Sequence, residues 1–249
     1  EIYDSSLIKL KNVVSDIYSL IFLCIASAFT IRKWNNTAMR WGIVGLNLFF
    51  AIGFISFGLK GLEDLRDCYL HPENFEYYSY SSMYIYIRYL AFAFFFTLLY
   101  LTHLLLKAES FKDYKLPKIF SGSIIHFFIL MVLSNELIHI TILNNYGNEE
   151  SYYSMTQSAY KLGLTALWGI YSFLLIAFGI FKKNKVIRIS AISLFGITLV
   201  KLVTYDTWDL STGYKVIAYM LLGVILLVVA FLYQKFKVLI FGDDNQPQS

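Results

Sequence analysis

The chain has 249 residues, of which 57% are hydrophobic and only 15% charged, and its mean hydropathy is +0.57. Soluble domains average about 45–50% apolar and about 25% charged residues, so a soluble globular domain is excluded. The formal net charge of +4 on so apolar a chain also excludes a disordered segment or a basic nucleic-acid binder, both of which need charge rather than hydrophobicity.

A helix needs about 20 apolar residues to cross a hydrocarbon core of roughly 30 Å. Seven runs meet that length, at 13–31, 41–59, 83–106, 119–143, 158–181, 187–205 and 215–234. Barrel strands need only about 9–11 residues, with strict alternation, which these runs do not show. The fold class is all-α: a polytopic membrane helix bundle of seven transmembrane helices. The division is an extracytoplasmic segment at 1–12, the transmembrane domain at 13–236 and a cytoplasmic tail at 237–249. Gly42, Gly45 and Gly53, and Ser190, Ser193 and Gly196, read as close-packing surfaces on their helices.

The loops alternate in charge. One set carries Arg32, Lys33 and Arg40, then Lys107, Lys112, Lys115 and Lys118, then Lys182, Lys183, Lys185 and Arg188. The other carries Glu63, Asp64, Asp67, Glu73 and Glu76, then Glu149 and Glu150, then Asp206 and Asp209. The positive-inside rule puts the basic set in the cytoplasm, with the N-terminus outside and the C-terminus inside. Tyr77, Tyr78, Tyr80, Tyr84, Tyr152, Tyr153 and Trp208 fall at the outer ends, where an aromatic belt is expected. The acidic residues from Glu63 to Asp67 read as a solvated loop. Cys24 lies in an apolar run and Cys68 in that loop, so both read as free thiols. The chain begins at Glu1 without a visible signal peptide. An outside N-terminus then suggests processing, or the C-terminal part of a longer polytopic chain.

Ionisable groups inside a span cost at least about 2.5–3.5 kcal/mol at the helix centre, which makes each a site hypothesis. Arg88 lies about one and a half turns into the third helix. Glu136 and His139 lie within two turns of the outer end of the fourth, three residues apart and so on one face. Lys161 is in the first turn of the fifth helix. Lys201 is near the outer end of the sixth, with Asp206 at its mouth, and Lys215 opens the seventh. All lie in the outer half of the bundle. Lys161, Thr165, Trp168 and Ser172 follow one helical stripe. If these faces point inward they make an outward-opening pocket with an excess of positive charge, suited to an anion. Two plainer readings stand beside it. The groups pair helices with one another, Arg88 with Glu136 and Lys201 with Asp206, or the lysines extend to the interface. Glu136-x-x-His139 matches half of a di-metal carboxylate motif, but no second copy exists, so no metal is expected. His103 and His126 read as interhelical hydrogen-bonding residues rather than haem ligands, and no cofactor is expected.

The last third carries a family resemblance. Ala166-Leu167-Trp168, the basic turn ending Ile187-Arg188, Lys201-x4-Asp206, Leu210-Ser211, Lys215, Gly223 and the ending Tyr233-Gln234-Lys235 resemble the C-terminal part of a bacterial polytopic membrane family, domain of unknown function 2339. Ser134-Asn135-Glu136-Leu137 is similar to another segment of it. Arg is usual in that family where this chain has Lys215, which keeps the charge but loses the fork geometry. The resemblance implies a bacterial inner membrane, longer relatives with more spans, and no assigned activity.

The leading expectation is a multipass inner-membrane protein that binds an anionic lipid head group or envelope glycan in an outer-leaflet pocket, within a cell-envelope assembly. Arg88, Lys161, Lys201 and Lys215 would contact the anion. Glu136 and Asp206 would orient them, His139 would hydrogen-bond Glu136 or the ligand, and Trp168 would line the site. One alternative is an enzyme acting on a lipid-linked envelope substrate, with Glu136 or His139 as general base. Another is a structural subunit of a membrane complex. A transporter is least favoured, because inverted repeats and broken midplane helices are not evident. The partners implied are membrane lipids and other membrane subunits or upstream helices, not nucleic acid.

Overall fold

The computed structural model describes residues 3–33, 36–70, 82–108, 111, 114–146, 156–157, 159–207 and positions 216, 220 and 223. All regular elements among them are helical. They are α1 (Tyr3–Lys33), α2 (Thr37–Gly53), α3 (Leu59–Leu70), α4 (Met83–Leu106), α5 (Leu116–Ile119), α6 (Ile125–Asn145), α7 (Leu164–Phe181) and α8 (Lys185–Lys201). Four π turns, Phe54–Gly58, Phe120–Ile124, Ala159–Gly163 and Leu202–Asp206, join or extend them. Six helical stretches among the described residues are long and apolar enough to cross a membrane: Ile8–Lys33, Thr37–Leu70, Met83–Leu106, Gly122–Asn145, Ala159–Phe181 and Lys185–Asp206. The seventh expected span, at 215–234, lies almost wholly outside the described residues, as do Lys215, the tail at 237–249 and every expected belt aromatic except Tyr84.

These helices are apolar on their outer faces as well as their inner ones. Phe57 is 78% exposed and Phe181 88%, and Tyr18, Phe22, Phe49 and Phe173 are also exposed. In water such surface would be an aggregation site. In hydrocarbon it is the solvent-matched surface of a membrane helix.

The chain divides into two compact units, Glu1–Asn135 and Glu136–Ser249. In the first, α1 packs on α2, α3 and α4, and α4 packs on α2 and α3. Phe95 sits fully buried at its centre. Phe54 stacks on it with ring centroids 4.8 Å apart, and Phe128 meets it edge-on at 5.7 Å. The second helix does not stop where the apolar run stops. It continues through a π turn into α3, so Glu63, Asp64 and Asp67 stand on a helix rather than in a loop. Leu59, Leu62 and Leu65 recur at threefold spacing and are buried, which is what carries α3 past its charges. Cys68 is correspondingly buried on α3, not in a polar loop.

The second unit is built on the α7–α8 hairpin. Its turn is a Schellman closure. The Asn184 N–H donates to the Gly179 carbonyl at 3.0 Å and the Lys183 N–H to Ile180 at 3.1 Å, with Lys183 at φ 50°. The Asn184 side chain then caps α8, accepting from the Val186 and Ile187 amides at 3.0 and 3.3 Å. Such a cap contributes about 1 kcal/mol. Arg188 belongs to the first turn of α8 and is buried, so it is not a solvated loop charge. It packs over Gly179, where a Cβ would come 2.8 Å from Arg188 Cγ and 3.0 Å from its backbone nitrogen. Backbone cannot yield cheaply, so Gly179→Ala is expected to destabilise the hairpin by about 1–3 kcal/mol. A thermal unfolding scan in detergent would show it as a lowered Tm.

The expected packing glycines behave differently. A Cβ at Gly42, Gly45, Gly53 or Gly196 meets nothing within 4 Å. The close approaches between different elements are at Gly179, at Gly61 against Val13 and at Gly163 against Leu137, while Gly58 meets the Phe54 ring of its own π turn. Small residues permit close packing, but only the partner helix decides where it happens.

Candidate functional site

Each unit holds a buried polar cluster near one end of its helices. In the first, Arg88 stands five residues into α4 and is 1% exposed. Its Nη2 donates to Asn135 Oδ1 at 2.7 Å, and Asn135 Nδ2 donates to Glu63 Oε1 at 2.5 Å. The carboxamide thus lies between a guanidinium and a carboxylate, the one orientation in which it accepts from the first and donates to the second. Arg88 also lies over the Phe92 ring at 5.6 Å. On α3, Arg66 pairs with Asp67 at 2.8 Å.

The π turn at Phe54–Gly58 makes Glu63 available to this cluster. In an uninterrupted α-helix Glu63 would lie about 160° round the axis from Asn47. The extra residue held by the π turn brings it to about 60°. Asn47 marks the α4-facing side of α2, because its Nδ2 donates to Thr102 Oγ1 of α4 and to Ser27 Oγ of α1, each at 2.9 Å. The first unit therefore has two polar layers, roughly 20–25 Å apart along the helices, with the Phe54–Phe95–Phe128 aromatics between them.

In the second unit the cluster is centred on Lys201. Lys201 ends α8, and Asp206 ends the π turn that follows. Residues five apart on an α-helix point about 140° apart and cannot pair. A π turn closes on its fifth residue, which stacks the two. Lys201 Nζ lies 2.7 Å from Asp206 Oδ1. It also donates to Thr165 Oγ1 at 2.7 Å, to the Tyr160 carbonyl at 3.0 Å and to the Lys161 carbonyl at 3.1 Å. The Thr165 hydroxyl donates to Asp206 Oδ2. Tyr160 and Lys161 belong to the π turn Ala159–Gly163, so two π turns meet at one ammonium. The Lys161 and Lys201 ammoniums both lie over the Tyr205 ring, at 5.8 and 5.4 Å.

Beside this cluster an open groove of about 570 Å³ runs along α8 from Ser193 and Gly196 to Lys201 and Tyr205. Its wall includes the exposed side chains of Ile197 and Val200.

Of the residues singled out in the sequence, Lys161, Lys201 and Asp206 come together, with Thr165 from the same stripe. Arg88 belongs to the first unit, with Asn135 and Glu63. Glu136 and His139 follow on α6. His139 is fully buried and presents no surface to a substrate, whereas Glu136 is partly exposed. Trp168 is partly buried on α7, and Ser172 is buried and donates to the Gly169 carbonyl at 2.8 Å. No three His, Cys, Asp or Glu side chains among the described residues are grouped to hold a metal ion. The sequence reading sets Glu63 in a solvated acidic loop rather than at a site, although the Leu59, Leu62, Leu65 spacing carries the helix past it. It also missed Asn47, a lone amide in an apolar run. The carbonyls of Tyr160 and Lys161 have no sequence signal.

No curated protein and no solved structure matches the chain. One family does, described as "Predicted membrane protein (DUF2339)", and it matches residues 7–236. The likeness read from the last third therefore extends over both polar clusters and all six described spans. With six described helical stretches long and apolar enough to cross a membrane, the chain belongs to this family of predicted membrane proteins.

Proposed function

We propose that this membrane protein holds an anionic lipid along α8. The acyl chain lies in the groove floored by Ser193 and Gly196, and the anionic head group meets Lys161 and the Tyr205 hydroxyl at the groove's end. The observation that carries this reading is the continuity of an apolar wall with a cationic, aromatic end. Lipids have that same order of parts. Lys201 is engaged by Asp206, Thr165 and the Tyr160 and Lys161 carbonyls, so its role is to fix the frame at the groove's end.

The loop charges put the N-terminus outside. The site then opens to the outer leaflet of a bacterial inner membrane. The setting is a cell-envelope assembly whose other members supply or take the lipid-linked group.

Native mass spectrometry of the full chain released from detergent tests this. The wild type is expected to carry a phospholipid or polyprenyl-phosphate adduct. Gly196→Leu fills the groove where no atom stands within 4 Å of the new Cβ, so the fold should survive. The bound fraction should fall about tenfold, equivalent to about 1.4 kcal/mol. A wild-type spectrum free of any lipid would remove the proposal.

A further inference from the structure

Four oxygens converge on the Lys201 ammonium, although it has only three N–H donors. They are the carbonyls of Tyr160 and Lys161, the Thr165 hydroxyl and the Asp206 carboxylate, at 2.7–3.1 Å. An ion pair alone would need only Asp206. The other three come from the adjoining helix, two of them from backbone where its α-helical register slips into a π turn.

Irregular backbone at membrane depth is tolerated where it is buried in protein or lines a water-filled cavity, and the backbone carbonyls of unwound helix segments coordinate sodium ions in transporters. Two carbonyls, a hydroxyl and one carboxylate form an all-oxygen set with a single negative charge. The spacing is longer than the about 2.3–2.6 Å of calcium or about 2.0–2.1 Å of magnesium, so the set is too wide for a divalent ion. It suits an ammonium or a large alkali ion.

We infer that Tyr160 O, Lys161 O, Thr165 Oγ1 and Asp206 Oδ1 form a monovalent-cation site that the chain fills with its own Lys201 ammonium. The tether makes the site independent of salt composition. Its occupant joins the ends of α7 and α8 by bonding to one helix while belonging to the other. The inference does not depend on the α8 groove holding a lipid.

Shortening the tether should turn the site into one for a free ion. In Lys201→Ala, n-propylammonium replaces the missing atoms from Cγ to Nζ, and potassium replaces the charge alone. The full chain in detergent is compared in chlorides of n-propylammonium, potassium and N-methylglucamine at equal ionic strength. The wild-type Tm is expected to be the same in all three. Lys201→Ala is expected to lose at least about 5 °C in N-methylglucamine. It should recover at least half of that, saturably, in n-propylammonium or potassium. Adding Asp206→Asn should abolish the recovery. Equal Tm values for Lys201→Ala in the three salts would overturn the inference, as would a wild type that needs one of the cations.

Should Lys201→Ala fail to fold, acetylation of the wild type reads the occupancy directly. Lys201 should react about tenfold or more slowly than exposed Lys182, since a site worth about 1.4 kcal/mol protects by that factor. Equal reactivity of the two lysines would overturn the inference equally.

Discussion

Asp206→Asn is expected to destabilise the second unit by up to about 3–5 kcal/mol, because it leaves the partly buried Lys201 charge without its counter-ion. For a chain of this size that corresponds to a Tm lower by roughly 6–20 °C. The change keeps the shape of the side chain, and its remaining oxygen still accepts a hydrogen bond, so the loss reports charge rather than packing. Asp206 is the more buried of the pair, at 3% side-chain exposure against 18% for Lys201. The double variant Lys201→Met, Asp206→Leu removes both charges and should recover most of the loss, since replacing a whole buried pair by apolar groups is often neutral or stabilising. Recovery should stay incomplete, because the Tyr160 and Lys161 carbonyls and the Thr165 hydroxyl lose their shared donor. A single variant as stable as the wild type in detergent unfolding would mean that water, not Asp206, compensates the ammonium.

Much of the bundle was legible because hydrocarbon imposes a length and a composition on every span. Residues 83–106 were read from hydropathy alone, and α4 has those bounds. The closeness of Lys201 and Asp206 at one helix end is enough to suggest their pairing from sequence. What the sequence did not carry was the means. A spacing of five is a mismatch on an α-helix and a match on a π turn, and no residue type in Leu202–Asp206 announces the change of pitch.

The α3 helix shows a second limit. A hydropathy window charges full cost for Glu63, Asp64, Arg66 and Asp67 and so ends the span at residue 59. The window cannot see that Asn135 and Arg88 stand ready to share one of those costs. Arg188 illustrates the converse, a basic residue counted among solvated loop charges that packs against Gly179 instead. In each case the deciding partner lies far along the chain or on another element. Periodicity and composition are local properties, so they reach the helices and stop short of the contacts between them.

The Arg88–Asn135–Glu63 cluster invites the second large effect. Asn135→Leu keeps the volume but removes both the acceptor for Arg88 and the donor for Glu63. Hydrogen bonds to charged groups contribute about 1.5–3 kcal/mol each, so the loss should reach about 3–5 kcal/mol. Asn135→Asp separates the two bonds. Its carboxylate still accepts from Arg88, but it has no N–H for Glu63 and repels it. Glu63→Gln retains an oxygen for the Asn135 amide and should cost least of the three. The expected order of stability is therefore Glu63→Gln, then Asn135→Asp, then Asn135→Leu, measured as unfolding midpoints in one detergent. If Asn135→Asp were the least stable, repulsion with Glu63 would outweigh the bond kept to Arg88, and the carboxylate would be the dominant charge at that layer. If Asn135→Leu matched the wild type, the amide would be a spacer between two charges that are satisfied elsewhere, and the link from α4 through α6 to α3 would carry no stability.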